Sequence, residues 1–272
     1  MKVYIVDAFT TQVFKGNPAG VCMLESSISE EKMLLIAQEL GLSETAFIQK
    51  NEEKGNYAIR FFSPKMEIPL CGHATMASSK VLFQENDVEK ISFINIQGIE
   101  IEVDKVSDGI KMVFPVYHTR QEEAPRRLLE ALGIDEIINA EYNEETRILL
   151  LEIESKDQLM NLNPSYQTLV DSTDKYNGVC ITTRSEDDGY DFYSRYFWPW
   201  SGTMEDPATG GTHTFLTPYW SKRLNKKKMV SFQLSKRTGY MEVELISDDR
   251  FTLKSDAAVV FKGFFESQVS DR

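Results

Sequence analysis

Polar and apolar residues alternate over short stretches in most of the chain, a pattern typical of β-strands with one buried face. In the first half this pattern predicts strands at 3–9, 21–24, 44–50, 56–63, 91–96, 99–104 and 110–114. In the second half it predicts strands at 147–153, 178–183, 190–197, 229–234, 240–246, 250–254 and 257–262. The chain is therefore expected to be rich in β-structure throughout.

A few segments place apolar residues three or four positions apart, which is the spacing of one face of a helix. One such helix is predicted over 31–40, with Ser27 and Glu30 at capping-box spacing and Gly41 as the residue that ends it. Segments 73–83 and 210–220 also have helical spacing and carry few charges, so each is predicted to be enclosed by strands. A fourth, more polar helix is predicted within 122–134.

Two stretches resemble each other, "RFFSPKMEIPLCGHAT" at 60–75 and "RYFWPWSGTMEDPATGGTH" at 195–213. Their matching positions lie 135 residues apart: Arg60 and Arg195, Pro64 and Pro199, Cys71 and Asp206. Three residue pairs with the same separation, about half the chain length, indicate two related domains. We predict an α+β protein with halves 1–116 and 117–272, the last strand being free to return to the first half.

Composition narrows the class of protein. The chain has 272 residues, 42% hydrophobic and 26% charged, and a formal net charge of −12, which argues against a nucleic-acid partner. Its three cysteines are far apart, and no apolar run reaches the roughly 18 residues of a membrane span. We therefore expect a cytoplasmic protein without a disulfide framework and without a membrane partner.

Asp206 has two interpretations. Asp before Pro is a favoured way to begin a helix, so Asp206 and Pro207 could be a plain N-cap. If the two enclosed helices instead direct their N-termini to a cleft between the domains, Asp206 faces a ligand there. Gly210 and Gly211 would then allow the main chain to approach that ligand closely.

The first half carries three further candidates. Cys71 is either a buried small side chain or a thiol activated at a helix start beside His73, which is itself a candidate acid or base. Glu44 is either an exposed acid or a partly desolvated general base. The matching position in the second half is Val179, so the repeat supplies only one such acid. His73, His118 and His213 do not have the spacing of a metal site, and His213 is expected in the core.

Four motifs, taken in order, resemble the PhzF family of phenazine biosynthesis, which belongs to the diaminopimelate epimerase-like superfold. They are "DAFTTQVFKGNPAGVCML", "GLSETAFI", "FFSPKMEIPLCGHAT" and "EDPATGGTHTFLTPYW". The resemblance covers nearly the whole chain. It implies two similar domains, each a barrel-like sheet around a central helix, with the active site between them. It also implies cofactor-free isomerase chemistry on a small carboxylate substrate, and a homodimer.

The resemblance assigns residues as well. Glu44 matches the family's catalytic glutamate, which removes a proton and returns it elsewhere on the substrate, while His73 and Asp206 match residues that contact or protonate substrate. The implied substrate-binding residues are Asn17, Cys71, Gly72, Gly210, Gly211 and Thr212, with no metal. The superfold's racemases use two cysteines, and because Asp206 replaces the second one here, racemisation by two thiols is not expected.

Two departures from the family pattern concern the substrate. Gly211 stands where the family usually has Ser, a loss that Thr212 could offset, and Glu242 stands near the position of a usual Gly-Arg-Pro signature. These changes weaken the case for the phenazine precursor as substrate. Two other functions stay open: a ligand-binding protein without catalysis, and an epimerase that uses the single thiol of Cys71.

Overall fold

The computed structural model describes residues 1–187 and 189–266. The chain forms two compact units: unit 1 comprises Met1–Val113 together with the chain from Leu253 onward, and unit 2 comprises Phe114–Thr252. The chain passes from unit 1 to unit 2 within strand β8 (Gly109–Pro115) and returns within strand β17 (Arg250–Ser255). Unit 1 is thus made from both ends of the sequence.

Unit 1 has two helices among its strands. The helices are α1 (Glu30–Leu40) and α2 (Gly72–Glu85). Besides the strands that cross the boundary, its strands are β1 (Lys2–Ala8), β2 (Asn17–Leu24), β3 (Glu44–Lys50), β4 (Tyr57–Phe62), β5 (Glu67–Ile68), β6 (Lys90–Ile94), β7 (Glu100–Val106) and β18 (Ala257–Phe264).

Strand β1 lies in the middle of the unit 1 sheet, antiparallel to both β2 and β18. Along the sheet, β2 pairs parallel with β3, β3 antiparallel with β4, β4 parallel with β6, and β6 antiparallel with β7. Helix α2 packs against β1, β2, β3 and β18, and most of its residues are buried. Its small side chains explain this, since Ala, Ser and Thr let a helix lie close to strands on several sides.

Unit 2 repeats this plan with extra short helices. Its helices are α3 (Arg126–Leu132), α4 (Lys156–Asn161), α5 (Tyr166–Asp171) and α6 (His213–Leu224). Its strands are β9 (Thr119–Gln121), β10 (Asn139–Asn143), β11 (Ile148–Glu152), β12 (Gly178–Arg184), β13 (Phe192–Trp198), β14 (Thr203–Asp206), β15 (Lys228–Gln233) and β16 (Gly239–Leu245).

The pairing in unit 2 has the same order as in unit 1. Strand β11 pairs parallel with β12, β12 antiparallel with β13, β13 parallel with β15, and β15 antiparallel with β16. Helix α6 follows the β13–β14 hairpin as α2 follows the β4–β5 hairpin. The fold is therefore α+β with two pseudo-symmetric units, each built of strands around a central helix.

An arginine in each hairpin marks the repeat most clearly. Arg60 on β4 donates through Nε and Nη2 to Glu67, at 2.7 Å each. Arg195 on β13 donates to Glu205 in the same way, at 2.7 and 2.9 Å. Because the glutamates are 138 positions apart and the arginines 135, the second hairpin is three residues longer. The repeat is real, but its offset is not constant.

The predicted capping box of α1 and the predicted helix start at Asp206 were both wrong. Helix α1 is capped by Ser29, whose hydroxyl accepts from the Lys32 amide, so the cap lies two residues after Ser27. Asp206 ends strand β14 and does not begin a helix; α6 begins at His213 with Thr212 as its N-cap. The N-caps Cys71 of α2 and Thr212 of α6 are 141 positions apart, so the second helix starts later than either the 135-residue offset or the three-residue hairpin extension predicts.

Candidate active site

Glu44, His73 and Cys71 come together in unit 1. The Nε2 atom of His73 lies 3.2 Å from Oε2 of Glu44. The Sγ atom of Cys71 lies 3.4 Å from Nδ1 and 3.9 Å from Nε2 of the same ring. The imidazole therefore contacts both a carboxylate and a sulfur, and these two groups also lie close to each other.

Regular structure holds each of the three residues. Glu44 is the first residue of β3, where the parallel pairing with β2 begins at Ala19. Cys71 is the N-cap of α2, and its carbonyl accepts from the Thr75 amide at 3.0 Å and from the Thr75 hydroxyl at 2.7 Å. His73 lies in the first turn of α2. A strand start and a helix start thus fix the cluster, which favours precise geometry.

The cluster is largely shielded from water within unit 1. Side-chain exposure is 11% for His73 and 14% for Glu44, and Cys71 is 7% exposed. Charged groups interact more strongly in such surroundings than in bulk water, because less solvent screens them. The protonation of Glu44 and of His73 is therefore set by burial together with the neighbouring groups.

The pKa values of Glu44 and His73 move in opposite directions. Burial opposes the charged carboxylate, but the hydrogen bond and charge of His73 outweigh burial and lower the pKa of Glu44 below its usual 4.5. Burial also opposes the imidazolium, but the sulfur of Cys71 and the carboxylate of Glu44 raise the pKa of His73 well above 6.5. At neutral pH the two residues form an ion pair, in which Nε2–H donates to Glu44.

Unit 2 has no carboxylate at the place that corresponds to Glu44. The parallel pairing of β11 with β12 begins at Gly178, so Gly178 is the counterpart of Glu44, one residue before the predicted Val179. A Cβ atom at Gly178 would lie 2.5 Å from the hydroxyl oxygen of Tyr196. The aromatic side chain takes the space that an acid would need, so this acid belongs to unit 1 alone.

Asp206 lies in unit 2 within a polar network of its own. The Thr209 hydroxyl donates to its carboxylate, and the side-chain amide of Gln233 donates to its main-chain oxygen at 2.6 Å. Gln233 is buried and its side-chain oxygen accepts from the Thr209 amide at 2.8 Å. Sequence patterns did not reveal Gln233, because it comes from β15, far along the chain from Asp206.

The residues after Asp206 form a tight turn into α6. Thr212 is buried and its hydroxyl donates to the Thr209 carbonyl at 2.9 Å, so only its oxygen lone pairs are left for a ligand. The Gly211 carbonyl accepts from the Thr214 hydroxyl at 2.7 Å. A Cβ at Gly211 would meet nothing within 4 Å, so a serine would fit there. Gly210 is buried in the same turn, and its carbonyl accepts from the His213 amide.

His213 is a packed core histidine, as expected. Its Nδ1 lies 3.1 Å from the Thr209 carbonyl and its Nε2 lies 2.7 Å from the Ser231 hydroxyl. Because a carbonyl only accepts, Nδ1 carries the proton and Nε2 accepts from Ser231. Burial lowers the pKa of His213 to about 4, so the ring is neutral at physiological pH.

Two implied substrate-binding residues lie near the cluster of Glu44, Cys71 and His73: Asn17 on β2, the strand beside that of Glu44, and Gly72 on α2. Asn17 begins β2, is buried, and precedes by two residues Ala19, the strand partner of Glu44. Gly72 is the first residue of α2, between Cys71 and His73. Both residues therefore lie close to the cluster along their elements.

The unit 1 cluster also has the composition of a metal site. Ligand atoms of Glu44, Cys71 and His73 all lie within 4.8 Å of one another. No metal was predicted from the sequence, because the search was for histidine and cysteine spacing and Glu44 is 27 positions from Cys71. The folded chain creates a ligand set that spacing does not reveal.

Comparison with known proteins identifies the family. Residues 6–263 match the PhzC-PhzF family of phenazine biosynthesis-like proteins, and the chain belongs to this family. A rat phenazine biosynthesis-like domain-containing protein is 40% identical over 97% of this chain and 98% of its own. A Halalkalibacterium halodurans protein named an uncharacterized isomerase is 38% identical over 95% of this chain and 96% of its own.

Solved structures agree with this result. A PhzC/PhzF phenazine biosynthesis protein from Clostridium difficile has a TM-score of 0.88 and 38% identity, covering 98% of this chain and 99% of its own. A Pseudomonas aeruginosa structure described as a "Predicted Epimerase" has a TM-score of 0.73 at 16% identity, which shows a shared fold alone. The fold is that of PhzF proteins and of the diaminopimelate epimerase-like superfold. Among the described residues, no helix is long and apolar enough to cross a membrane.

Proposed function

We propose that the protein is a cofactor-independent isomerase that moves a proton on a small carboxylate-bearing substrate, with Glu44 as the general base. The observation that carries the proposal is the ion pair of Glu44 and His73, 3.2 Å apart and mostly shielded from water. An ionised carboxylate beside a protonated imidazole is an acid–base pair ready for use. The names of relatives, among them the Halalkalibacterium isomerase, support isomerase chemistry in general.

The proposed reaction begins when the Glu44 carboxylate takes a proton from an activated carbon. The electron pair of the broken C–H bond moves into the conjugated system of the substrate. The proton is then delivered to another carbon, by Glu44 or by the imidazolium of His73, and the product is an isomer of the substrate. No electrons are gained or lost, so the step needs neither oxidant nor reductant.

The low pKa of Glu44 restricts the substrate. A carboxylate of this kind removes protons only from carbon acidified by a neighbouring carbonyl, carboxylate or conjugated double bond. Substrate binding would displace water from Glu44, and further desolvation strengthens the base by raising its pKa. We therefore propose a small acid, such as an unsaturated cyclic amino acid, with an activated C–H bond.

The start of helix α2 suits the carboxylate of such a substrate. The first N–H groups of a helix have no partner within it and favour an anion. We propose that the main chain at Gly72 and the side chain of Asn17 contact the substrate, next to Cys71. In unit 2, Asp206 with Gly210, Gly211 and Thr212 is proposed to contact it as well; the support is the resemblance and the Gln233–Thr209 network that holds Asp206.

Proton NMR in D₂O tests the proposal. The protein is incubated with the phenazine precursor and a panel of cyclic and linear amino and hydroxy acids, and deuterium incorporation is followed. We expect exchange at one carbon of one compound class. The Glu44→Gln variant should keep the fold and lose about 10²–10⁴ in rate, the usual contribution of a general base.

The matched control is Glu39→Gln, which removes the same charge from an exposed position on α1. It should exchange deuterium at the rate of the original protein. Full activity in Glu44→Gln would disprove the role of Glu44. Tight binding of a panel compound without any exchange would point instead to a binding protein.

Epimerisation by a single thiol is the second candidate, because the sulfur of Cys71 lies 3.4 Å from Nδ1 of His73. A thiolate paired with an imidazolium is a known form of activated nucleophile or base. Cys71→Ala separates the two functions. If Glu44 is the base, this variant retains most activity, whereas a thiol mechanism loses it together with inversion at the substrate carbon.

We further propose a homodimer, as the family resemblance implies. Light scattering after size-exclusion chromatography would give twice the 31.1 kDa mass of the chain. A mass of one chain at micromolar concentration would contradict the dimer and leave the catalytic proposal untouched.

A further inference from the structure

Three side chains in unit 1 offer one sulfur, one nitrogen and one oxygen to a common point. From Nε2 of His73 the distances are 3.2 Å to Oε2 of Glu44 and 3.9 Å to Sγ of Cys71. All three ligand atoms lie within 4.8 Å of one another. In a tetrahedral zinc site, metal–ligand bonds of about 2.0–2.3 Å place neighbouring ligand atoms roughly 3.4–3.6 Å apart. The observed Nε2–Oε2 and Nε2–Sγ distances differ from the ligand–ligand distances of a tetrahedral site by small amounts that side-chain rotation can remove.

From this geometry we propose that Glu44, Cys71 and His73 form a binding site for Zn²⁺ or a similarly soft divalent cation. Thiolate and imidazole ligands select zinc over Mg²⁺ and Ca²⁺, which prefer sites made of oxygen atoms alone. Three protein ligands leave the fourth tetrahedral position for water or another small molecule.

Charge balance supports the same cation. Zinc binding would release the extra proton of His73 and any proton on Cys71, and Zn²⁺ with a neutral imidazole, the thiolate of Cys71 and the carboxylate of Glu44 has a net charge of zero. Neutrality matters here because uncompensated charge is costly in a shielded place, and all three side chains are mostly shielded. A monovalent cation would leave the site negative.

The ligands are also well ordered before any metal binds. Cys71 and His73 lie two residues apart at the start of α2, and the Cys71 main chain is held by Thr75. Small rotations of the Cys71 and His73 side chains, together with the flexible side chain of Glu44, would bring the three atoms to a metal. Preordered ligands reduce the entropy lost on binding, which favours affinity.

Zinc bound at this site would inhibit the isomerase, a consequence that rests on the proposed function. The cation would take the carboxylate oxygen that removes the substrate proton and the imidazole nitrogen that pairs with it. Binding itself does not depend on that function. The two statements can therefore fail separately.

Cobalt titration of the full chain tests the site directly. Co²⁺ is added to the reduced, metal-free protein, and the near-ultraviolet absorption of a cobalt–thiolate bond is recorded with the visible bands of tetrahedral cobalt. We expect one equivalent to bind and Zn²⁺ to displace it. Cys71→Ser should abolish the thiolate band, and Glu44→Gln should weaken binding by about tenfold or more.

Two control variants remove similar atoms elsewhere. Cys180→Ala removes a buried thiol from β12, and His118→Gln removes an exposed imidazole. Both should bind cobalt with the unchanged spectrum and affinity. If Cys71→Ser does not fold, alkylation of Cys71 in the intact protein with iodoacetamide provides the same test.

The cobalt spectra of the original protein and its variants decide whether the metal site exists. A thiolate band that is lost with Cys71 and kept in both controls supports the site. Absence of the band in the original protein, or its persistence in Cys71→Ser, overturns it. Cobalt binding without isomerase activity would uphold the metal site and contradict the proposed function. Isomerase activity that zinc does not inhibit would uphold the proposed function and contradict the metal site.

Discussion

Two histidines in this protein have opposite protonation because their neighbours differ. Both are buried, and burial alone would keep each ring neutral. His73 contacts the carboxylate of Glu44 and the sulfur of Cys71, which stabilise the imidazolium. His213 has a carbonyl and a hydroxyl as partners, and it stays neutral. At the scale of one residue, the neighbours of a histidine decide whether it can act as an acid.

The ion pair of Glu44 and His73 predicts a particular dependence of stability on pH. The lowered pKa of Glu44 contributes stability above pH 4.5, which is lost as the pH falls through its value in the folded protein. The raised pKa of His73 contributes stability that is complete below pH 6.5 and is lost as the pH rises through its value in the folded protein. The pair should therefore stabilise the protein most between pH 4.5 and 6.5.

Urea unfolding of the original protein and His73→Gln across this range measures the effect. The difference in free energy of unfolding should be largest between pH 4.5 and 6.5 and should shrink on both sides. The control, His118→Gln, removes an exposed histidine outside the cluster. A pH-independent difference for His73→Gln would mean that the pair is not ionised.

Part of the site could be predicted from local sequence. The position of Glu44 just after a helix-ending glycine, and of Cys71 at a helix start, are local features that short motifs carry. The contact between Glu44 and His73 is not local, because it depends on how β3 and α2 pack. Contacts of this kind are created by tertiary structure, and no periodicity reports them.

At the scale of elements, periodicity predicted most of the strands but not the course of the second hairpin. Matching residues of β4 and β13 are 135 positions apart. The three-residue extension between β13 and β14 then increases the separation of the matching residues that follow. Asp206 was therefore predicted at a helix start, although it pairs with Tyr196 as a strand residue. The short strand β9 and the helices α4 and α5 were also missed, since elements of a few residues have too few positions to show a period.

The two hairpin arginines should differ in their contribution to stability. Arg195 also donates to the carbonyls of Leu159 and Leu162, at 3.0 and 2.9 Å, and its side chain is 10% exposed. Arg60 has a side-chain exposure of 23% and donates to the carboxylates of Glu67 and Glu30. Arg195→Met should lower the free energy of unfolding by about 3–5 kcal/mol, as expected for breaking a buried pair.

Arg60→Met serves as the matched comparison and should cost about 1 kcal/mol, since a more exposed pair is screened by water. Chemical denaturation of both variants gives the two values under the same conditions. Equal losses would show that the carbonyl contacts of Arg195 add nothing to its ion pair with Glu205.

At the scale of the whole molecule, unit 1 is completed by the C-terminal part of the chain. Strand β18 pairs with β1 along its whole length, and Val6 and Ala8 of β1 are fully buried. Further contacts come from Asp256, whose carboxylate accepts from Lys80 at 2.7 Å and whose carbonyl accepts from the Thr10 amide at 3.1 Å. Without this segment, β1 would become an unpaired edge beside a half-exposed core.

A fragment of residues 1–113 should therefore fail to fold by itself, whereas the same fragment joined to 253–266 should fold. Residues 109 and 255 are in direct contact in unit 1, so a flexible Gly/Ser linker of about eight residues is long enough to join the pieces.

Heteronuclear NMR spectra of the joined fragment should show dispersed amide signals, and those of 1–113 should be collapsed or broadened by aggregation. The control carries the residues of 253–266 in scrambled order and should behave like 1–113. If 1–113 alone gave a well-dispersed spectrum and unfolded cooperatively, strand β18 would not be required for unit 1 to fold.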